Sequence, residues 1–123
     1  SFITSPLIKV LVGPESNRSE LFIHQNIITA RSKCFASALS GQWNSSETRT
    51  VNLYELDPDL TTTQVTHYLE TVYTNKLATR GDDANYGYLC NVYIVAEQLL
   101  DVQTRNLALQ AIYECVREFH ADG

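Results

Sequence analysis

A chain of 123 residues is enough for one domain, which at that size buries about two-thirds of the surface its unfolded chain exposes. Its 44% hydrophobic and 19% charged residues exclude a disordered segment, a coiled coil and a low-complexity tract. A net charge of −5 with scattered basic residues argues against nucleic-acid binding, and no apolar run reaches the roughly 18 residues that a membrane span needs. We therefore expect residues 1–123 to form a single domain, cut from a longer protein.

The first predicted elements are a β-hairpin and two short helices. Residues 8–12 (IKVLV) are rich in β-branched side chains and stop at Gly13, and a second apolar run follows at residues 21–23. Apolar residues then recur at helical spacing over residues 27–39, with a break near Ser32. This spacing predicts two helices in a hairpin.

A third strand and a longer helix come next. Residues 51–54 (VNLY) alternate with a period of two, which predicts a strand with one buried face. Two starts are possible for the helix: Asp57 as N-cap before a proline, or Thr61 with Gln64 as a capping box. The helix carries one apolar stripe, which we assign to the core: Val65, Tyr68, Leu69, Val72 and Tyr73.

Two further helices close the chain after a polar stretch at residues 75–85, which we interpret as a mobile surface loop. Asp101 is the expected N-cap of the second helix. The predicted core stripe of the first is Leu89, Val92, Tyr93, Ala96, Leu99 and Leu100, and that of the second is Ala108, Ala111, Ile112, Cys115, Val116 and Phe119. Strands early and helices late predict an α+β domain, with a small three-stranded sheet on five or six helices.

Catalytic chemistry has little support in the pattern. The three cysteines are widely spaced within apolar helices, which is typical of buried, reduced thiols in an intracellular protein, either cytoplasmic or nuclear. The three histidines lie far apart, and neither a Cys-x-x-Cys pair nor a glycine-rich phosphate loop occurs. We therefore predict no catalytic residue, metal, cofactor or small-molecule substrate. We expect His24 to be partly buried and His67 to be exposed.

One segment resembles a known family closely enough to name it. In residues 21–41 (LFIHQNIITARSKCFASALSG), His24 ends a strand and an Arg-Ser-x-x-Phe motif runs from Arg31 to Phe35. This order is similar to that of BTB/POZ domains, with Gln25 where a lysine is usual. Residues 68–75 resemble the family's Tyr-Thr-Gly helix end, with an asparagine in the glycine position. The resemblance spans residues 8–119 and is nearest to the fungal branch of the family.

The resemblance implies a protein–protein interaction module that recruits or assembles partners and is not an enzyme. Its implied partner is another protein, either a cullin scaffold, as in ubiquitin-ligase substrate adaptors, or a second copy of itself. In such adaptors a hydrophobic-x-Glu motif contacts the scaffold. Here Trp43 and Asn44 fall at that motif, Ser45 replaces its glutamate, which weighs against cullin binding, and Glu47 lies close by.

Three tyrosines off the core stripes complete the candidate partner-binding residues, because tyrosine is enriched at interfaces: Tyr54, Tyr86 and Tyr88. Two other functions stay open. One is a small enzyme, which would need a polar pocket joining His24 or His67 to Cys34. The other is a homo-oligomerisation domain without a ligase role. Many dimeric BTB/POZ domains begin with an additional helix and strand that swap between subunits, whereas only seven residues precede the first strand here. The resemblance therefore implies a monomer or weak dimer.

Overall fold

The computed structural model describes residues 5–41, 49–77 and 84–122, and its architecture is α+β as predicted. A three-stranded sheet packs against helices, of which six lie within those ranges. The core lies where the sheet meets the helices, and its fully buried large side chains come from every layer, among them Ile8, Ile23, Ile28, Phe35, Leu53, Val65, Tyr68, Val95 and Leu99.

The sheet is built around its first strand. β1 (Leu7–Val12) pairs antiparallel with β2 (Ser19–His24) and parallel with β3 (Arg49–Asn52), which gives the order β2-β1-β3. The hairpin turn depends on Gly13, whose φ of 93° is one that side chains rarely allow. A Cβ atom there would also lie 2.8 Å from the carbonyl oxygen of Asn17, so the turn requires glycine.

Two short helices follow, as the spacing predicts. α1 (Gln25–Arg31) ends where α2 (Lys33–Ala38) begins, and Ser32 stands between them in extended conformation. The Ser32 hydroxyl accepts a 3.0 Å hydrogen bond from the Phe35 backbone N–H and donates at 2.6 Å to the Leu99 carbonyl. This serine therefore caps α2 and fixes the helical hairpin to a distant part of the chain.

The third strand has the predicted length of four residues but begins and ends two residues earlier than predicted. Leu53 and Tyr54 belong to a short helix, α3 (Leu53–Leu56), because Asn52 caps it by accepting a hydrogen bond from the Tyr54 N–H at 3.0 Å. α4 (Thr62–Thr74) begins at the second of the two candidate starts, since the complete capping box forms at Thr61. Asp57 instead accepts a bond from the Asp59 N–H and makes a local turn.

The last two helices form an antiparallel pair, α5 (Ala84–Gln98) and α6 (Val102–Asp122). Residues 78–83 of the predicted mobile loop lie outside the described residues, and its last two residues are helical. Asp101 caps α6 as predicted, because its Oδ1 atom accepts a 2.9 Å hydrogen bond from the Thr104 N–H.

Leu100 was wrongly assigned to the core. It has a φ of 56° and is 55% exposed, because it ends α5 in the left-handed conformation usually occupied by glycine. The Asp101 N–H bonds to the Ala96 carbonyl at 2.9 Å and the Leu100 N–H to that of Glu97 at 3.3 Å, the two bonds of a Schellman motif. A leucine in this conformation costs roughly 1–2 kcal/mol.

Six other core assignments also need correction. Tyr73 is 42% exposed and Val116 is 37% exposed, while four residues are only half-buried: Tyr93, Ala111, Ile112 and Cys115. The side chain of Phe119 lies outside the described residues. For the residues of α6, the reason is that the helix packs along α5 with a narrow face, so its wide apolar stripe is covered only in part. Val95, which the predicted core stripe left out, is fully buried.

Candidate interaction surface

The structure describes half of the predicted partner-binding residues. Trp43, Asn44 and Glu47 lie outside the described residues. Tyr54, near the start of α3, is 37% exposed, and Tyr86, near the start of α5, is 45% exposed. These two tyrosines lie on different helices, and each is partly exposed to solvent.

Tyr88 has a role within the fold. It is half-buried, its hydroxyl lies 2.7 Å from the Thr71 hydroxyl, and its ring meets that of His67 edge-on at a centroid distance of 4.9 Å. His67 is half-buried rather than exposed, because it lies under Tyr88 and within 3.3 Å of the Asn91 amide. These contacts hold α5 against α4.

His24 links the end of β2 to α4, and is partly buried as predicted. Its backbone N–H donates to the Tyr73 hydroxyl at 3.2 Å, and its Nδ1 atom lies 2.8 Å from the same oxygen. Because that oxygen accepts from the backbone, its own hydrogen is available to Nδ1. Tyr73 is therefore exposed on one side because it lies over the end of β2, and its hydroxyl group has a structural role.

The three cysteines are free thiols, and all are half-buried rather than buried. Burial raises the pKa of the Cys34 thiol, which disfavours the thiolate that a nucleophile would need. Among the residues that the structure describes, no three His, Cys, Asp or Glu side chains are grouped to hold a metal ion.

A buried polar network joins residues from three segments of the chain. Asp101 is fully buried and accepts hydrogen bonds from the Tyr68 hydroxyl at 2.9 Å and the Thr104 hydroxyl at 2.6 Å. Arg31 lies 3.7 Å from the same carboxylate and donates to Thr104 at 2.6 Å and to Asn75 at 2.9 Å. Both carboxylate oxygens of Asp101 accept hydrogen bonds, whereas the buried Nε atom of Arg31 makes no hydrogen bond and meets the carboxylate only as an ion pair. The network therefore leaves no free carboxylate for chemistry.

An exposed apolar surface on α6 was not predicted. We call it the α6 outer face, and it consists of Val102 (50% exposed), Leu109 (49%), Tyr113 (58%) and Val116 (37%). The opposite side of the helix, at Thr104 and Ala108, is fully buried. The seven-residue spacing of Val102, Leu109 and Val116 was the available signal, but it was absorbed into a single core stripe.

A small open cavity lies where the α6 outer face begins. Its volume is about 80 Å³, and it is lined by Ala96, Glu97, Leu100, Asp101, Val102 and Arg105. Neither a histidine nor a cysteine contributes to it, so it is not the pocket that the enzyme hypothesis requires. Its exposed lining continues directly into the outer face through Val102.

No family model matches the sequence. A curated relative named "Inhibitor of Bruton tyrosine kinase", from Xenopus laevis, is 30% identical over 95 residues, which cover 77% of this chain and 7% of that protein. This chain thus spans a small part of the relative's length. None of the helices in the described ranges has the length and hydropathy needed to cross a bilayer.

Proposed function

We propose that the chain is a protein–protein interaction domain of the BTB/POZ type, with no catalytic activity of its own. The observation that carries this proposal is the α6 outer face, where four large side chains are each at least 37% exposed along one helix. Contiguous apolar surface of this kind marks interaction sites in folded proteins. Tyrosine, which is enriched at interfaces, contributes Tyr113 to this face, and the predicted partner-binding residues Tyr54 and Tyr86 are also exposed.

The positions of the motif residues support the BTB/POZ part of the proposal. Arg31 and Ser32, the first two residues of the Arg-Ser-x-x-Phe motif, bond respectively to Asn75 and to the Leu99 carbonyl. Asn75 ends α4 with a φ of 56°, the conformation for which the family's glycine is suited. Landmarks that are far apart in sequence are thus joined by direct hydrogen bonds.

Two further facts agree with an interaction role. The Xenopus laevis relative carries the name of a kinase inhibitor, and an inhibitor named for its target acts on another protein. The free thiols agree with an intracellular setting, cytoplasmic or nuclear, where disulfides are rare. In this proposal the partner is a protein. The two specific candidates to test are a cullin scaffold and a second copy of the chain.

The experiment is affinity purification from an extract of the cells that express the protein, with the solution mass of the purified chain measured in parallel. We expect a co-purifying protein in stoichiometric amount. The variants Trp43→Ala and Tyr54→Ala test the predicted partner-binding residues, and Tyr54→Phe serves as a matched control that keeps the exposed ring. Each variant is first checked for an unchanged melting temperature.

Binding of each of these two candidate partners is tested with purified components. Binding of a cullin scaffold that is lost in Trp43→Ala would assign the ligase-adaptor role, and a concentration-dependent dimer would assign homo-oligomerisation. A chain that retains no protein, binds no cullin and remains a monomer would overturn the proposal. Turnover of any substrate that is abolished by Cys34→Ser would overturn it in favour of an enzyme.

A further inference from the structure

Helix α6 presents two different faces. Its inner face packs on α5 through small side chains such as Thr104 and Ala108, whereas its outer face carries large apolar side chains that reach solvent. Val102, Leu109 and Val116 are seven residues apart, the repeat by which one α-helix packs along another. The geometry of the outer face is therefore that of a helix-binding surface.

The turn before α6 adds an exposed leucine at a strained position. Leu100 adopts a φ of 56° although glycine would fit there without strain, and its side chain is 55% exposed. Burial within this domain does not compensate for that strain. Leu100 lines the cavity of about 80 Å³ together with Val102, so this side chain extends the outer face across the α5–α6 turn. Strain retained at an exposed side chain points to a use outside the fold.

The charges beside the outer face are basic. At about 100° per residue, Arg105 and Arg117 lie about 60° to either side of the line through Val102, and the nearest carboxylate on α6, that of Glu114, lies about 120° away. Arg117 lies over the Tyr113 ring at 5.7 Å and forms no ion pair with any described residue. Arg105 pairs with the exposed Glu97 of α5 at 3.5 Å, a weak surface contact.

This charge pattern identifies the occupant. A helix lying on the outer face would place its own flanking residues beside Arg105 and Arg117, so carboxylates there would be attracted and ammonium groups repelled. A second copy would bring the same two arginines, and the carboxylate that lies beside them, that of Glu97 on α5, is already paired with its own Arg105. Charge complementarity thus favours an acidic partner helix over self-association.

We propose that the α6 outer face, extended by Leu100, binds an amphipathic α-helix whose apolar residues follow a seven-residue repeat and whose flanks carry carboxylates. The inference rests on the proposed interaction function and names the chemistry of one partner. Leu100 fills the turn end of the interface, Leu109 and the Tyr113 ring form its centre, and Val116 with Arg117 closes the other end.

The probes are two fluorescently labelled synthetic helical peptides with leucine at the repeating apolar positions, one with glutamate and one with lysine on the flanks. Anisotropy at low salt is expected to show that the glutamate peptide binds at least about tenfold more tightly than the lysine peptide. Arg117→Glu is expected to reduce or reverse this preference. Raising the salt concentration is expected to weaken binding of the glutamate peptide selectively.

Three variants of the chain separate the surface from general stickiness. Leu109→Ser is expected to weaken binding of the glutamate peptide by about tenfold or more. Leu107→Ser is the matched control, because Leu107 is 38% exposed but lies about 140° around the helix from Val102. Leu100→Gly is expected to lose affinity while its melting temperature stays equal or rises, since glycine relieves the strain.

Equal binding of both peptides, or equal losses in Leu109→Ser and Leu107→Ser, would overturn the inference. So would a wild-type dimer in sedimentation that Leu109→Ser dissociates, because a second copy would then be the occupant. If the peptides fail while the affinity purification retains a partner that depends on Trp43 or Tyr54, the interaction function stands and only the α6 assignment falls.

Discussion

The Tyr68 hydroxyl donates a 2.9 Å hydrogen bond to the Oδ2 atom of Asp101, and both side chains are excluded from solvent. The bond joins the middle of α4 to the turn between α5 and α6. Since the carboxylate also caps α6 and lies beside Arg31, this single tyrosine supports a contact on which three helices depend. Its removal is the most direct test of the buried network.

Tyr68→Phe is expected to lower the free energy of unfolding by about 1.5–3 kcal/mol, because it removes a hydrogen bond to a charged group without creating a large cavity. Urea denaturation at neutral pH measures it. Tyr86→Phe, at a 45% exposed position, is the control and should change stability by less than about 0.5 kcal/mol. Equal small effects from both substitutions would mean that the network contributes little.

The same tyrosine predicts a loss of stability in alkali. Burial, together with the neighbouring Asp101 carboxylate and its hydrogen bond, raises the pKa of Tyr68 far above its ordinary value. The folded chain thus keeps this proton at a pH where the unfolded chain, with a tyrosine pKa of about 10, releases it. The stabilising contribution of protonated Tyr68 is complete below about pH 10 and is lost as the pH rises. Above pH 10 the loss in the free energy of unfolding approaches about 1.4 kcal/mol per pH unit.

Urea denaturation of the wild type and Tyr68→Phe at pH 8 and pH 11 measures this slope. Cys34, whose pKa burial also raises, adds a slope of the same sign in both proteins and so cancels in the comparison. We expect the phenylalanine variant to lose less stability in alkali than the wild type. A pH dependence that is identical in the two proteins would contradict the assignment to Tyr68.

Ser32→Ala is expected to destabilise the domain by about 1–3 kcal/mol, because it removes the partner of the Phe35 N–H and leaves the Leu99 carbonyl with only the long 3.4 Å bond from the Cys34 N–H. Ser40→Ala is the matched control, since that hydroxyl makes a 2.8 Å bond at an exposed site. Thermal denaturation compares the two. A similar shift in melting temperature for both would show that the motif serine is not an essential cap.

Much of the fold could be predicted because local signals agree with the packing. Gly13 ends a strand for a steric reason, Thr61 and Gln64 form a complete capping box, and Asp101 caps α6. The errors arose where periodicity alone was used to assign burial. Leu100 continues an apolar stripe but ends a helix in the left-handed conformation, and no spacing rule reports that change.

The candidate site was harder to predict for a related reason. An apolar stripe identifies a face that avoids water, but it does not say whether the domain itself covers that face. On α6 the small residue Ala108 faces α5, while the larger Leu109 faces solvent, an arrangement that depends on how closely two helices approach. Similarly, Tyr88 lay off every stripe, yet its hydroxyl contacts Thr71 across the helix pair.

Two core substitutions test the revised burial. Leu69 is 6% exposed within the main hydrophobic cluster, so Leu69→Ala is expected to cost about 2–5 kcal/mol. Ile112 is half-buried on α6, so Ile112→Ala is expected to cost less than half as much. Denaturant titration of both variants measures the ratio. A larger loss from Ile112→Ala would mean that α6 is covered more completely than this structure shows.

The last prediction concerns Asn75, which ends α4 with a φ of 56° and accepts a 2.9 Å hydrogen bond from Arg31. Asn75→Gly loses that bond but relaxes the backbone, so its net effect should be within about 1 kcal/mol of the wild type. Asn75→Ala loses the same bond and adds the strain of a left-handed alanine, so it should be less stable than the glycine variant by about 1 kcal/mol. Urea denaturation of both variants separates the two contributions, since they share the lost bond and differ in the backbone. If the two variants are equally destabilised, the hydrogen bond from Arg31 rather than the conformation of the helix end determines which residues this position accepts.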